Sequence, residues 1–168
     1  MIRYTDLKNT NRHNLMEVLP LAKPFTLLIE PSSLCNFHCI HCFQSLKQDN
    51  YFTQNRMNMP LDRFQRIIEQ MQVWPGEKLK VLKLSLYGEP LINQDFGEML
   101  RLAKEAAIAD RIETTTNASL LTPEVAQNMV DCQLDYLRVS IYATDATRHR
   151  EITGSGVTPE AIHENLRV

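Results

Sequence analysis

The chain has 168 residues, 43% of them hydrophobic and 23% charged, with a formal net charge of −2. That is material for one sizeable core rather than two, and so even a charge balance excludes the electrostatic footprint of a nucleic-acid binder or an anionic-membrane binder. No apolar run approaches a membrane span, and residues 1–24 lack the apolar stretch of a secretory signal, so the reading is a cytoplasmic protein with an N-terminal segment, 1–24, and one domain, 25–168.

In chain order, the first strand-like segment is FTLLIEP, 25–31, and it runs into the cysteine-rich stretch CNFHCIHC at 35–42. Apolar residues then recur at helical spacing over 60–73 (Leu61, Phe64, Ile67, Ile68, Met71), and Trp74-Pro75-Gly76 closes that helix, with Trp74 read as a core anchor. KVLKLSLYG, 80–88, is the second strand, followed by a helix over 94–109 on Phe96, Leu100, Ala103 and Ala107. RIETTTNA, 111–118, is the third strand. A helix over 123–132 follows, opened by a capping Thr122 and Pro123 and carrying Val125, Ala126 and Met129. YLRVSIYA, 136–143, is the fourth strand, and Thr158-Pro159-Glu160 opens a last helix. Strands and helices in this alternation predict βαβ units, right-handed crossovers and a parallel sheet.

Buried parallel strands usually read as continuous apolar runs, whereas these alternate. Leu82, Leu84 and Leu86 alternate with Lys83, Ser85 and Tyr87; Ile112, Thr114 and Thr116 with Glu113, Thr115 and Asn117; Leu137, Val139 and Ile141 with Arg138, Ser140 and Tyr142. One face of the sheet therefore meets helices and the other a polar space, either a ligand cavity or solvent. The distinctive residues also fall where parallel α/β folds place their chemistry, at the carboxyl ends of strands. The cysteines follow the first strand, Gly88-Glu89-Pro90 the second, Asn117 the third, and Ser140 with Tyr142 the fourth.

Three cysteines spaced C-x3-C-x2-C, with Cys132 far away, make a poor disulfide framework. Structural zinc wants four ligands, and His38 or His41 would have to complete the set, since no distant pair does so. A redox pair needs only two thiols, and three buried thiols on one loop are a strange way to fill a core. A [4Fe–4S] cube held by three thiolates keeps one iron open for another molecule. Zinc and iron–sulfur both remain open on spacing alone, and the three close thiolates favour the cluster.

CNFHCIHC after a strand, Gly88-Glu89-Pro90 after the next, then TTTNAS and VSIY, resemble the radical S-adenosylmethionine superfamily and its C-x3-C-x-aromatic-C motif. The IEPSSLCN lead-in is similar to that of members with a C-terminal SPASM or twitch extension. The resemblance runs over about residues 25–168 and implies an α/β fold, a partial TIM-like (β/α) barrel holding about four of the six βα units of such a core. It implies a [4Fe–4S] cluster on Cys35, Cys39 and Cys42, whose open iron is chelated by the amino and carboxylate groups of S-adenosylmethionine. Reductive cleavage then gives a 5′-deoxyadenosyl radical that abstracts hydrogen from a peptide, protein or small-metabolite substrate. His41 stands at the aromatic position facing adenine, Gly88, Glu89 and Pro90 at the element that binds the amino group, and Asn117 and Ser140 at the contacts to ribose and carboxylate. An electron donor such as flavodoxin or ferredoxin is implied as a partner.

The sequence departs from the family pattern in two places. Ile152 and Thr153 stand where such members often carry an arginine for the methionine carboxylate, leaving Arg138, Arg148 or Arg150 as substitutes. The count of four units predicts a further C-terminal region or a partner chain to complete the barrel, or else a noncatalytic cluster-binding fragment. Cys132 reads as a buried helix cysteine, and His13, His149 and His163 have no partner spacing.

Overall fold

The computed structural model describes residues 14–45 and 55–167; residues 1–13 of the N-terminal segment, His13 among them, lie outside that description. Four strands form one parallel sheet: β1 (Thr26–Leu28), β2 (Val81–Lys83), β3 (Ile112–Thr116) and β4 (Tyr136–Val139), in the order β1-β2-β3-β4. The register runs Leu27 to Leu82, Leu82 to Ile112, and Thr114 to Leu137. Sequential strand order with crossovers of one hand keeps all connecting helices on one face, the arrangement of a barrel wall rather than a doubly wound sheet.

The helices are α1 (Leu15–Val18), α2 (Leu61–Val73), α3 (Phe96–Ala106), α4 (Pro123–Asp131), α5 (Ala146–Thr153) and α6 (Pro159–Asn165). Thr122 and Thr158 accept the amides of Val125 and Ala161, as their positions ahead of proline foretold. Leu82, Leu84, Ile112 and Thr114 point to the helical side and pack against Phe64, Ile68, Met71, Met99, Leu100 and Ala103, all at or below 5% exposure. The third strand departs from an apolar run because Thr114 donates its hydroxyl to the Leu84 carbonyl at 2.8 Å, which satisfies a buried polar group inside the sheet.

Three expectations change. The strands are shorter than the sequence pattern: β2 stops at Lys83 although alternation continues to Tyr87. Past Leu84, whose N–H still donates to Glu113 O at 2.8 Å, the Ser85 hydroxyl accepts the Thr115 amide at 3.1 Å in place of a backbone partner. The two-residue parity then lapses: Leu86 and Ile141 are 47% and 43% exposed, and Ser85 is buried at 2%. Trp74 is not a core anchor; it is 46% exposed and braces the chain by donating its indole N–H to the Ala22 carbonyl at 2.9 Å. Helix α5 went unread because it carries few apolar residues, although its Asp145 cap and its left-handed Gly154 stop at φ 61° are ordinary start and stop signals.

Phe64 fills the seam between α2 and the sheet with no exposed surface. Phe64→Ala is expected to lower the unfolding free energy by about 3–5 kcal/mol, read as a shifted denaturant midpoint with an unchanged slope.

Candidate functional site

Four loops at the carboxyl ends of the strands enclose a hollow of about 340 Å³, within the range of small-molecule sites. Cys35, Cys39, Cys42 and His41 line it from the loop after β1, Gly88 and Glu89 from that after β2, Asn117 from the tip of β3, and Ser140 from the tip of β4. Pro90 is buried behind the wall, where it opens a 3-10 turn. Two ring pairs flank the opening: His41 with Tyr142, centroids 4.6 Å apart, and Phe43 edge-on to Tyr87 at 4.7 Å.

The cysteine loop is held from both sides by backbone. The carbonyls of Thr153 and Ile152, at the end of α5, accept the amides of His38 and Ile40 at 2.8 and 2.9 Å. On the other side Glu89 donates its amide to the Leu34 carbonyl at 2.8 Å. Glu30, at the end of the first strand segment, accepts the amides of Tyr87 and Gly88 at 2.7 and 2.9 Å, which pins the second loop beneath the first. Gly88 is required there, since a Cβ would come within 2.0 Å of the Ser32 carbonyl oxygen.

All four cysteines are free, and the Phe37 amide points at Cys35 Sγ from 3.5 Å, the kind of N–H···S contact that steadies a cluster thiolate. Among the described residues no three His, Cys, Asp or Glu side chains converge on one metal ion, as tetrahedral zinc would require. Cys35, Cys39 and Cys42 line the same hollow, and a cube, each of whose irons takes its own thiolate, calls for three such donors around a shared space and not at one point.

A sequence model of the Radical SAM superfamily matches residues 29–168. The chain belongs to the radical SAM superfamily. It is 29% identical over 134 residues to a probable GTP 3′,8-cyclase of Methanococcus maripaludis, covering 80% of this chain and 41% of that protein. It is 27% identical over 144 residues to a tungsten-containing aldehyde ferredoxin oxidoreductase cofactor-modifying protein of Pyrococcus furiosus, with coverages of 84% and 38%. The crystal structure of Streptococcus suis SuiB bound to S-adenosylmethionine superposes with a TM-score of 0.66 at 24% identity, over 96% of this chain and 35% of that one, and shares the fold. The chain thus spans about two fifths of the length of the curated relatives it matches. Radical SAM membership carries the superfamily's cofactors, a [4Fe–4S] cluster and S-adenosylmethionine. No helix among the described residues is long and apolar enough to cross a membrane.

Within this radical SAM core several placements differ from the sequence reading. None of Arg138, Arg148 and Arg150 lines the hollow. Arg138 is exposed with its guanidinium 5.7 Å from the Tyr136 ring, and Arg148 pairs with Glu151 at 2.9 Å. The Glu89 side chain turns into the protein, where its carboxylate accepts Thr116 Oγ1 at 2.5 Å, the Asn117 amide at 2.7 Å and the Leu91 amide at 3.1 Å. Cys132 is half-buried at the end of α4. His149 is completely buried, edge-on to Phe37 at 6.1 Å, with neither ring nitrogen paired among the described residues. Glu30, Asn36, Ser119 and α5 went unread as parts of the site. Their roles are set by partners far away in the chain, 83 residues apart for Asn36 and Ser119 and farther still for α5 and the cysteine loop, which no local spacing signals.

Burial pushes the Glu89 carboxyl up, and its three donors pull it back only in part. Relative to the unfolded chain the fold favours the protonated acid, so this contribution to stability is full below the ordinary carboxylate range and is lost as pH rises through the raised pKa. Glu89→Gln removes that slope; the stability of wild type relative to the variant is expected to fall as pH rises above the ordinary carboxylate range in paired denaturation curves.

Burial, with the neighbouring Cys35 and Cys42 adding to it, pushes the Cys39 thiol up to about 11. In metal-free protein, iodoacetamide alkylation of Cys39 followed by mass spectrometry is expected to quicken about tenfold per pH unit above neutrality and to level off near pH 11. A plateau near pH 8.5, the value of an ordinary thiol, would contradict this environment.

Proposed function

We propose that this chain is the cofactor-binding core of a radical SAM enzyme, in which Cys35, Cys39 and Cys42 hold three irons of a [4Fe–4S] cluster and S-adenosylmethionine occupies the remainder of the hollow. The observation that carries the reading is the gathering of those three thiols with strand-end residues from three other loops around one space. A cluster held there and reduced would supply the electron for reductive cleavage of S-adenosylmethionine, and with it the chemistry of hydrogen-atom abstraction from a substrate.

The chain's own residues bind, orient and shield. Burial raises the Cys35 and Cys39 thiols, and metal binding needs them as thiolates, so loading the site releases protons. Arg56, which pulls the Cys35 thiol down against the effect of burial, offsets part of the negative charge gathered there. His41 and Tyr142 offer an aromatic face for adenine, and the Gly88-Glu89 backbone offers carbonyls to the amino group. Asn117 and Ser140 offer polar groups to the ribose and the carboxylate. Burial pushes the Tyr142 hydroxyl up, and the nearby Ser140 pulls it back in part, so the two side chains share one side of the hollow.

The hollow's exposed ring pairs leave it open at the top, where substrate enters, and the IEPSSLCN lead-in supports a place near members carrying a SPASM or twitch extension. A flavodoxin- or ferredoxin-type protein supplies the electron, and free thiols suit a reducing cytoplasm.

Anaerobic reconstitution with iron and sulfide is expected to give about four irons per chain, and dithionite with S-adenosylmethionine to yield 5′-deoxyadenosine. Alanine at Cys35, Cys39 or Cys42 abolishes both, and Cys132→Ala neither. Tetrahedral zinc in place of brown protein would defeat the proposal, and a cluster that forms but yields no deoxyadenosine would reduce it to binding alone.

A further inference from the structure

Three side chains at the edge of the hollow close a ring of hydrogen bonds. Asn117 Nδ2 donates to Asn36 Oδ1 at 2.9 Å, Asn36 Nδ2 donates to Ser119 Oγ at 2.8 Å, and Ser119 Oγ donates to Asn117 Oδ1 at 2.7 Å. The Ser119 backbone amide also donates to Asn117 Oδ1, at 2.9 Å.

That last bond fixes the direction of all the others. A backbone N–H can only donate, so the Asn117 atom facing it is oxygen and the opposite atom is nitrogen. Nitrogen toward Asn36 obliges Asn36 to present its oxygen, and therefore to turn its own amide nitrogen to the Ser119 hydroxyl. The hydroxyl, now accepting, has its proton free for Asn117 Oδ1. With two donors on it, the Asn117 carbonyl is saturated. What this residue has left, at 6% exposure on the wall of the hollow, is the second hydrogen of Nδ2, which no acceptor takes among the described residues.

The ring also joins two parts of the chain that need a fixed separation. Asn36 directly follows Cys35, and Asn117 with Ser119 forms the turn at the tip of β3. That turn is held from behind, where Asn165 of α6 donates to the Ala118 carbonyl at 2.9 Å across a left-handed Ala118 at φ 56°. The β3 tip is therefore the rigid side and the cysteine loop the side being located.

We propose that Asn36 and Ser119 are positioning residues that lock Asn117 as a hydrogen-bond donor toward the hollow, so that the ligand group against this wall is an acceptor, an oxygen of the ribose or a ring nitrogen of the adenine. The inference rests on the reading of the hollow as an S-adenosylmethionine site. It identifies polarity as well as place: the Ser119 amide keeps the Asn117 oxygen turned from the hollow, and the ring of Asn36 and the Ser119 hydroxyl holds the amide plane in line, so a side chain that loses the ring keeps its polarity and donates at a poorer angle.

The test compares Ser119→Ala, Ser119→Thr, Asn36→Ala and the Ser119→Ala/Asn36→Ala double variant in reconstituted protein. S-adenosylmethionine affinity is read from the change it induces in the electron paramagnetic resonance spectrum of the reduced cluster, alongside iron content and thermal unfolding. Ser119→Ala and Asn36→Ala are expected to bind about five- to tenfold more weakly, as for loss of one oriented hydrogen bond, at unchanged iron content. Ser119→Thr, which keeps the hydroxyl, stays within about twofold of wild type, and the double variant is no worse than about either single one because both break the same ring. Single variants that bind like wild type overturn the inference, as does a threonine variant as weak as the alanine one. Iron loss or unfolding in step with the affinity loss in Ser119→Ala also overturns it, by assigning the ring a structural role only. Wild type that holds a cluster and gives no spectral response to S-adenosylmethionine overturns the underlying site reading and this inference with it, whereas a normal wild-type response with unaffected variants leaves the site reading standing.

Discussion

The Ser32 carbonyl occupies the space that a side chain at position 88 would need, with its oxygen 2.0 Å from where a Cβ would sit. Because residue 88 is glycine, the loop after β2 can slide beneath the loop after β1 until backbone meets backbone. Glu30 then reaches both Tyr87 and Gly88 amides, and the Glu89 amide reaches Leu34. This contact lies directly before Cys35, and the depth of the hollow follows from it. Any side chain larger than hydrogen would part the two loops and separate the thiols from the other strand tips.

On that base the cysteine loop acquires its remaining restraints from elements late in the chain. The free carbonyls at the end of a helix have no partners within it and bond whatever donor is placed before them. At the end of α5 they meet the amides of His38 and Ile40, and Gly154 lets the two backbones close up, since a Cβ there would lie 3.0 Å from the His38 carbonyl oxygen. The side-chain ring of Asn36, Asn117 and Ser119 provides a third attachment, to β3. A loop fixed at three points by groups outside itself can present three thiols to one space before any metal arrives, which lowers the ordering cost of loading it.

Buried polar groups around the site serve this arrangement more than they serve the hollow itself. Glu89 sits behind the wall and ties the β2 loop to the tip of β3 through the Thr116 hydroxyl and the Asn117 amide. Its acid group is disfavoured as an anion by burial, a cost borne because three donors need an acceptor in that place. Gly88-Glu89 looks from sequence like an element facing a ligand. In three dimensions the two residues divide the work, the glycine admitting the neighbouring loop and the glutamate closing the seam.

The sequence by itself determined the class of fold, the sites of the three thiols and the rim on which they gather. Those properties are local or periodic: strand alternation, the Thr-Pro helix starts and the C-x3-C-x2-C spacing each depend on residues a few positions apart. It misjudged Leu86 and Ile141, because alternation outlasts the hydrogen-bonded ladder that gives it meaning, and it missed α5, whose caps were legible but whose apolar stripe was thin. What only the tertiary structure decided is which polar groups answer one another: that Glu89 turns inward, that Asn36 faces Asn117 and Ser119 from more than eighty residues away, and that α5 carries the cysteine loop. Such pairings are set by the closing of the sheet, and a hydrogen bond between distant residues leaves no period or spacing in the chain from which it can be read.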